Sequence, residues 1–366
     1  MHVAPGAAST PLLHLNLRQA TQPRVLVCGD ADFAYSSALA RALRERGVDA
    51  RLFASAYEDR ALLLERYPSA AGAAGALAGA GADVRFGVDA RALRDHYGDG
   101  ARFERVVFNL PQAPPEPGRR NQIQRHRALL RAFCTSAASV LAPGGQLWVT
   151  LLAGQGGTPL DPIPRPPGDT WQIQLAAAEG GLLVTGAHPA DIDALEARGY
   201  VPTGRTAGAV PVGEARKRKG MLVHVLERAG GPGVEAVGDL EWSFENSFWV
   251  ADGAGAAALG PVARDALPGD WSRAFVGAVA VDSYDPGDGR TAVSLRFTFR
   301  SRRLPLTRAR ALQLNAALCR AAAAAGLEAR YPGAYADLPG LAGVQRDGAP
   351  ADAAGALPDE GPRPEG

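Results

Sequence analysis

Cysteine is scarce in this chain of 366 residues. There are three, Cys28, Cys134 and Cys319, far apart and odd in number, with no CxxC. That pattern argues against structural zinc and against a disulfide framework, and it favours a reducing compartment. The six histidines form no HxxxH or HExxH, so no metal is expected. An excess of one charge is also missing, because 39 Lys and Arg face 38 Asp and Glu. No global field therefore draws in a polyanion, and any such binding must use local patches. No apolar run reaches the roughly 20 residues that cross a bilayer. The N-terminus lacks a basic start followed by an apolar core. The expectation is a cytoplasmic protein with no membrane contact.

What is present is a chain long enough for two cores. The stretch RVLVCGDADFAYS, residues 24–36, organises the first. RVLVC is a short β-branched run that Gly29 ends, and Phe33 to Arg46 then places apolar residues at helical spacing. A strand that breaks at a glycine and feeds a helix aims backbone N–H groups at the strand's carboxyl end, where nucleotides bind in open α/β sheets. Two acids, Asp30 and Asp32, sit in the turn. They repel a diphosphate but suit ribose hydroxyls and a sulfonium, which points away from NAD and toward S-adenosylmethionine. An ordinary first strand of an α/β domain fits the turn equally well.

Further strands are expected at 49–57, 82–90, 103–111 and 146–152, then at GGLLVTGAH and MLVHVLE. Helices fall at 58–67, 119–141, 170–179 and 189–198. Residues 69–81 alternate alanine and glycine and suit a weak helix or a loop. Residues 153–168, rich in Gly and Pro, read as a mobile loop at a carboxyl-end position. Alternating strands and helices predict a mostly parallel sheet covered on both faces. A strand reached through a helix-poor, hairpin-like loop is expected to be antiparallel.

The order changes after residue 239. Strand, helix, strand, GDGR turn, strand, helix and strand follow over 240–330, the split βαβ of ferredoxin-like folds. The partition is therefore a lead-in at 1–22, an α/β domain at 23–228, a linker at 229–239, an α+β domain at 240–330 and a disordered tail at 331–366.

Several pieces of the first domain together resemble one family. They are GDADFAYS at 29–36, SAYED at 55–59, FGVDA at 86–90, FERVVFNLP at 103–111, the helix RRNQIQRHRALLRAF, and the later TWQIQ and GYVPTGRT. In that order they are similar to the eukaryotic 25S rRNA uridine-N3 methyltransferases. Residues 243–330 resemble the ferredoxin-fold anticodon-binding domain, through SFWV, VDSYD and LRFTFRSRRLPLT. The fusion is similar in layout to the ferredoxin-fold anticodon-binding domain-containing proteins of eukaryotes. The resemblance implies a Rossmann-like class I methyltransferase domain followed by a smaller ferredoxin-like domain. It implies S-adenosylmethionine as cofactor, and rRNA or tRNA as partner.

By the same resemblance, Gly29, Asp30, Asp32 and Phe33 line the cofactor, and Tyr57 or Glu58 takes its ribose hydroxyls. Asp89 accepts from the adenine amino group. Asn109 and Pro111 face the target, where an asparagine amide can hold a base edge. Asp32 and Asp89 also suit helix caps, and Asn109 suits a plain turn. No residue stands out as base for the uracil N3 proton. Two departures are visible. Ala31 replaces the second glycine of the family's GEGDFSFS, and FNFPH reads FNLPQ, so Leu110 and Gln112 replace a ring and a histidine.

Three basic clusters are candidates for phosphate: Arg119, Arg120, Arg125 and Arg127; Arg216 to Lys219; and Arg300, Arg302 and Arg303. A solvated charged face is the plain alternative for each. Three readings follow. The first is an RNA pyrimidine methyltransferase whose small domain grips structured RNA. The second is a non-catalytic RNA-binding adaptor, and the third a small-molecule methyltransferase.

Overall fold

The computed structural model describes residues 22–114, 121–200, 220–250, 256–287 and 289–330. The expected lead-in, the tail, Arg119, Arg120 and the cluster Arg216 to Lys219 lie outside the described residues.

A seven-stranded sheet runs in the order β3-β2-β1-β4-β5-β7-β6. Its strands are β1 (Arg24–Cys28), β2 (Arg51–Ser55), β3 (Asp83–Arg85), β4 (Phe103–Asn109), β5 (Leu141–Leu152), β6 (Leu182–Pro189) and β7 (Met221–Arg228). The first five pair in parallel, and β7 runs antiparallel to both β5 and β6. This is the Rossmann order with one antiparallel strand inserted before the last. The order reverses between β1 and β4, because both neighbours of β1 are reached by crossovers in opposite directions.

Both faces of β1 are buried, as its unbroken apolar run requires. Val25 and Val27 pack under α1 (Ala34–Glu45), α2 (Arg60–Arg66) and α3 (Ala70–Gly79). Leu26 and Cys28 face α4 (Leu93–Tyr97), α5 (Gln122–Val140) and α6 (Ile173–Glu179). The alanine–glycine stretch thus forms a helix, held by Ala70 and Leu77 against the core. A short α7 (Ile192–Glu196) adds Leu195 to the same side as α1.

The region 153–168 is irregular, as expected, but it is tied down rather than free. Asp161 accepts from the Gly154 and Thr158 N–H groups, both at 2.8 Å. The buried Arg127 guanidinium donates to the Pro167, Gly168 and Thr170 carbonyls. Arg127 is therefore a latch on this loop and does not face RNA.

A second sheet has the order β11-β8-β10-β9, fully antiparallel. Its strands are β8 (Leu240–Val250), β9 (Phe275–Tyr284), β10 (Thr291–Ser301) and β11 (Leu327–Ala329). Helices α8 (Leu259–Ala266) and α9 (Arg308–Ala321) cover one face over Phe248, Phe297 and Phe299. This is the ferredoxin-like arrangement that the element order predicts. Residues 229–239 bridge the sheets instead of hanging loose: Ala236 N–H donates to Arg302 O at 2.7 Å and Val237 N–H to Val184 O at 2.8 Å. Ala178 and Leu183 of the first sheet's layer share a core with Leu240 of the second.

Asn246 and Asn315 exchange two side-chain hydrogen bonds at 3.0 Å inside this small core. Removing one partner strands the other in an apolar site, at a cost of about 1–3 kcal/mol. Asn246→Ala is expected to lower the unfolding free energy from urea denaturation by that amount, and Asn246→Ala with Asn315→Leu to recover much of it.

Candidate active site

The turn after β1 is held by backbone bonds across the sheet. Asp30 N–H donates to Ser55 O at 2.9 Å, and Phe33 N–H returns to Asp30 O at 3.3 Å. Gly29 has φ +64°, and a Cβ there would stand 2.7 Å from the Phe108 ring. Glycine is required on both counts. Ala31 carries no such demand, since its φ is not positive. The missing second glycine therefore adds a methyl without backbone strain.

The two turn acids differ. Asp30 is buried, and its Oδ2 accepts from Ser36 N–H at 2.7 Å. Burial pushes its carboxyl up to about 6; the Ser36 bonds pull the other way, and the Asp32 charge adds to the rise. Asp32 Oδ1 accepts from Ala34 N–H at 3.0 Å, a local turn bond just before α1, whose N-cap is Phe33 and carries no side-chain cap. Burial raises its carboxyl too.

Phe33 does not join them. It has φ +59°, is fully buried and meets Phe86 edge-on at 5.4 Å. It is absent from the cavity wall, so its assignment to the cofactor is corrected to a core role. The helical spacing that begins at Phe33 is core spacing.

Beyond β2, Tyr57 is half exposed, while the Glu58 carboxylate is mostly covered and pairs with Arg66 at 3.1 Å. Asp89 ends the β3 connection. It accepts from Arg91 N–H at 2.9 Å and pairs with the Arg91 guanidinium at 2.7 Å. That pairing holds its carboxyl below the usual carboxylate range. The capping role is thus present, and the same residue faces the cavity.

At the end of β4, Asn109 Oδ1 accepts from the Thr150 hydroxyl at 2.5 Å. Its amide nitrogen is buried with no hydrogen-bond partner, a costly state for a polar group. Leu110 has φ +46°, a strained conformation for a branched side chain. Strain of this kind costs about 1–3 kcal/mol and gathers at functional sites.

These elements converge on one cavity of about 700 Å³ at the carboxyl ends of β1, β2 and β4. Gly29, Asp30, Asp32, Tyr57, Glu58 and Asp89 line one part, and Asn109 and Pro111 another. The sequence reading overlooked Tyr35 and Tyr200. Both line the floor, with ring centroids 5.5 Å apart and edge to face. Tyr35 lies two residues after Phe33 in GDADFAYS and Tyr200 lies in the GY pair, so the family motifs carried the only signal. Burial raises both phenols. Trp171 lines the cavity and also stacks on His126, with centroids 4.1 Å apart. Arg125 lines the wall and donates to Gln122 Oε1 at 3.2 Å. Cys28 also lines it, but burial pushes its thiol far up, which removes it as a nucleophile.

The third basic cluster starts near the end of β10 and runs into the bend after it, and each of its arginines has an acidic partner. Arg300 pairs with Glu241 at 2.6 Å, Arg302 with Asp239 at 2.8 Å and Arg303 with Glu235 at 2.5 Å. Among the described residues no group of three or more His, Cys, Asp and Glu is placed to hold a metal ion. Among the same residues no helix is long and apolar enough to cross a membrane.

Residues 26–200 match the model of the family described as "BMT5-like: rRNA (uridine-N3-)-methyltransferase BTM5-like". Two curated relatives are 35% identical over 182 residues: the ferredoxin-fold anticodon-binding domain-containing protein 1 of Homo sapiens and its homolog of Mus musculus. The matched region covers 50% of this chain but 28% of either relative, so the chain matches little more than a quarter of their length. Among solved structures, TrmN from Thermus thermophilus superposes with TM-score 0.31 and 17% identity, over 58% of this chain and 46% of that one.

Proposed function

We propose that this chain, matched over residues 26–200 by the BMT5-like rRNA uridine-N3 methyltransferase model, is an S-adenosylmethionine-dependent methyltransferase of an RNA pyrimidine, at uridine N3 or a like position. One observation carries the reading. The cavity lies at the carboxyl ends of β1 and β4, where the strand order reverses, and its wall includes Gly29, whose left-handed φ and closeness to Phe108 favour glycine.

The wall suits the cofactor. A volume of about 700 Å³ is within the range of small-molecule sites. Asp30 and Asp32 place carboxylates where a sulfonium is favoured, and Gly29 leaves the backbone approachable. Tyr57, Glu58 and Asp89 line the same cavity, and we assign the first two to the ribose hydroxyls and Asp89 to the adenine amino group. When bound, the cofactor supplies an electrophilic methyl group. The chain's own part is positioning and exclusion of water, which is the larger share of such catalysis. Asn109, braced by Thr150, and Pro111 line the part of the cavity that we assign to the target base.

Titration calorimetry with S-adenosylmethionine tests the cofactor claim. Binding is expected for the wild type and is expected to be lost in Asp89→Ala, whose folding is checked by its melting curve. Radiolabelled methyl transfer to ribosomal and transfer RNA tests the substrate claim. Methylation of free nucleosides but not of RNA would favour the small-molecule reading, toward which the paired state of Arg300, Arg302 and Arg303 already leans.

A further inference from the structure

Helix α5 meets the exit of β4 with three side chains that share one helix face, Gln122, Arg125 and His126. All three close on the same two residues. His126 Nδ1 accepts from Ala113 N–H at 3.2 Å, Gln122 Nε2 donates to Ala113 O at 3.3 Å, and the Arg125 guanidinium donates to Pro114 O. Both backbone groups of the buried Ala113 are thereby held from the helix. Just before it in the chain stands Leu110 with its left-handed backbone, and such strain persists only where the surroundings hold it. Leu110, Pro111, Gln112 and Ala113 line the cavity beside Asn109.

The ring of His126 also reaches a second wall. It lies on Trp171 with centroids 4.1 Å apart and planes 28° from parallel. Trp171 N–H donates to Gln155 O at 2.6 Å and Ile173 N–H to Gly156 O at 3.1 Å, so the indole is tied to the loop at 153–168. Trp171 and Gln155 both line the cavity. His126 thus joins two cavity segments that are far apart in the chain.

We infer that His126 is a positioning residue that clamps these two walls together and so sets the shape of the target part of the cavity. A backbone N–H can only donate, so Nδ1 is bare and the ring proton lies on Nε2. The neutral imidazole offers a flat face and an in-plane acceptor at once. The imidazolium donates from both nitrogens and would meet the Ala113 N–H head on. Burial favours the neutral form, and the Arg125 charge beside it adds to that preference. The other groups set against the ring are Gln122, Ala113 and Trp171, none of which ionises. Protonation therefore releases Ala113 and, with it, the strained turn at Leu110. The consequence for the target rests on the methyltransferase reading above; the clamp itself does not.

The test is amide hydrogen exchange of residues 110–114 in the full chain, read by mass spectrometry and divided by the exchange of an unstructured peptide at the same pH. Pro111 and Pro114 carry no N–H, so the signal comes from Leu110, Gln112 and Ala113. Wild-type protection is expected to fall about tenfold from pH 8 to pH 4.5, the scale of one lost hydrogen bond, with a midpoint below 6.5. His126→Leu fills the site without an acceptor and is expected to show the low protection at both pH values. His126→Asn puts an amide oxygen near the place of Nδ1 and takes no proton, so it is expected to keep most of the protection at both. Trp171 reads the other wall. An imidazolium quenches a stacked indole, so the emission difference between wild type and Trp171→Phe is expected to drop with the same midpoint and to lose that step in His126→Asn. S-adenosylhomocysteine, bound at the other part of the cavity, is expected to keep its affinity within about twofold in both His126 variants. In methyl transfer to ribosomal RNA, His126→Leu is expected to raise KM about tenfold with kcat changed less than about threefold, and His126→Asn to restore most of it. Wild-type protection that stays flat from pH 8 to pH 4.5, or equal protection in wild type and His126→Leu, overturns the clamp. An unchanged KM in His126→Leu overturns its link to the target. A clamp that passes the exchange test while the wild type methylates neither RNA nor nucleosides sinks the methyltransferase reading alone.

Discussion

Gly29→Ala is expected to destabilise the fold by about 2–5 kcal/mol and to abolish S-adenosylmethionine binding. Two separate costs add. An L residue at φ +64° meets a left-handed penalty of about 1–2 kcal/mol. The new methyl would also stand 2.7 Å from Phe108 Cε2, and overpacking of that kind costs about 1–3 kcal/mol. Phe108 cannot yield easily, because it is buried and packs on Phe133 at 4.7 Å. If the ring shifts, it shifts into the cavity wall that it lines. Urea denaturation reads the first loss and calorimetry the second. Ala31→Gly, two residues on, is the control. Its φ is not positive, so the change is expected to leave cofactor affinity within a few-fold of wild type. An Ala31→Gly variant that gains affinity by a hundredfold or more would show that the methyl of Ala31 obstructs the site.

Much of this architecture was legible in the sequence because its signals are local. RVLVC followed by a glycine can only be a strand that stops, and the period-two run of Val293, Leu295, Phe297 and Phe299 can only be one face of a sheet. What was not legible depends on partners distant in the chain. Arg127 lay in a run of arginines that suggested phosphate, yet it reaches loop carbonyls 40 or more residues away. Arg302 and Arg303 were matched by acids at 239 and 235, across the segment read as a linker. Phe33 was misplaced for a different reason. A motif assigns all its residues to the ligand, but a turn must also be anchored. Phe33 is the anchor: its left-handed backbone and buried ring let the acids beside it face the cavity. Tyr35 and Tyr200 were overlooked because tyrosine on a buried face looks like core until the cavity beside it is seen.

The affinity for S-adenosylmethionine is expected to rise about tenfold between pH 5 and pH 7.5, with Asp30 as the cause. Its carboxyl stands at about 6 in the folded chain against 3.8 for the free side chain, so at pH 5 most of it is protonated. The folded state then holds a proton that the unfolded state has released. Asp30 therefore lowers stability as pH rises from about 4 to about 7, by roughly 3 kcal/mol in all. A sulfonium placed beside the charged form recovers part of that loss, which makes binding stronger above pH 6 and couples it to proton release. S-adenosylhomocysteine has the same shape without the positive sulfur, so its affinity is expected to stay flat over the same range. Asp30→Asn keeps an acceptor for Ser36 N–H but carries no charge. It is expected to remove the pH dependence and weaken S-adenosylmethionine about tenfold, to leave S-adenosylhomocysteine nearly unchanged, and to raise the urea midpoint at pH 8. Equal pH profiles for the two ligands in the wild type would mean that Asp30 does not face the sulfur, and would move the cofactor's charged centre toward Asp32.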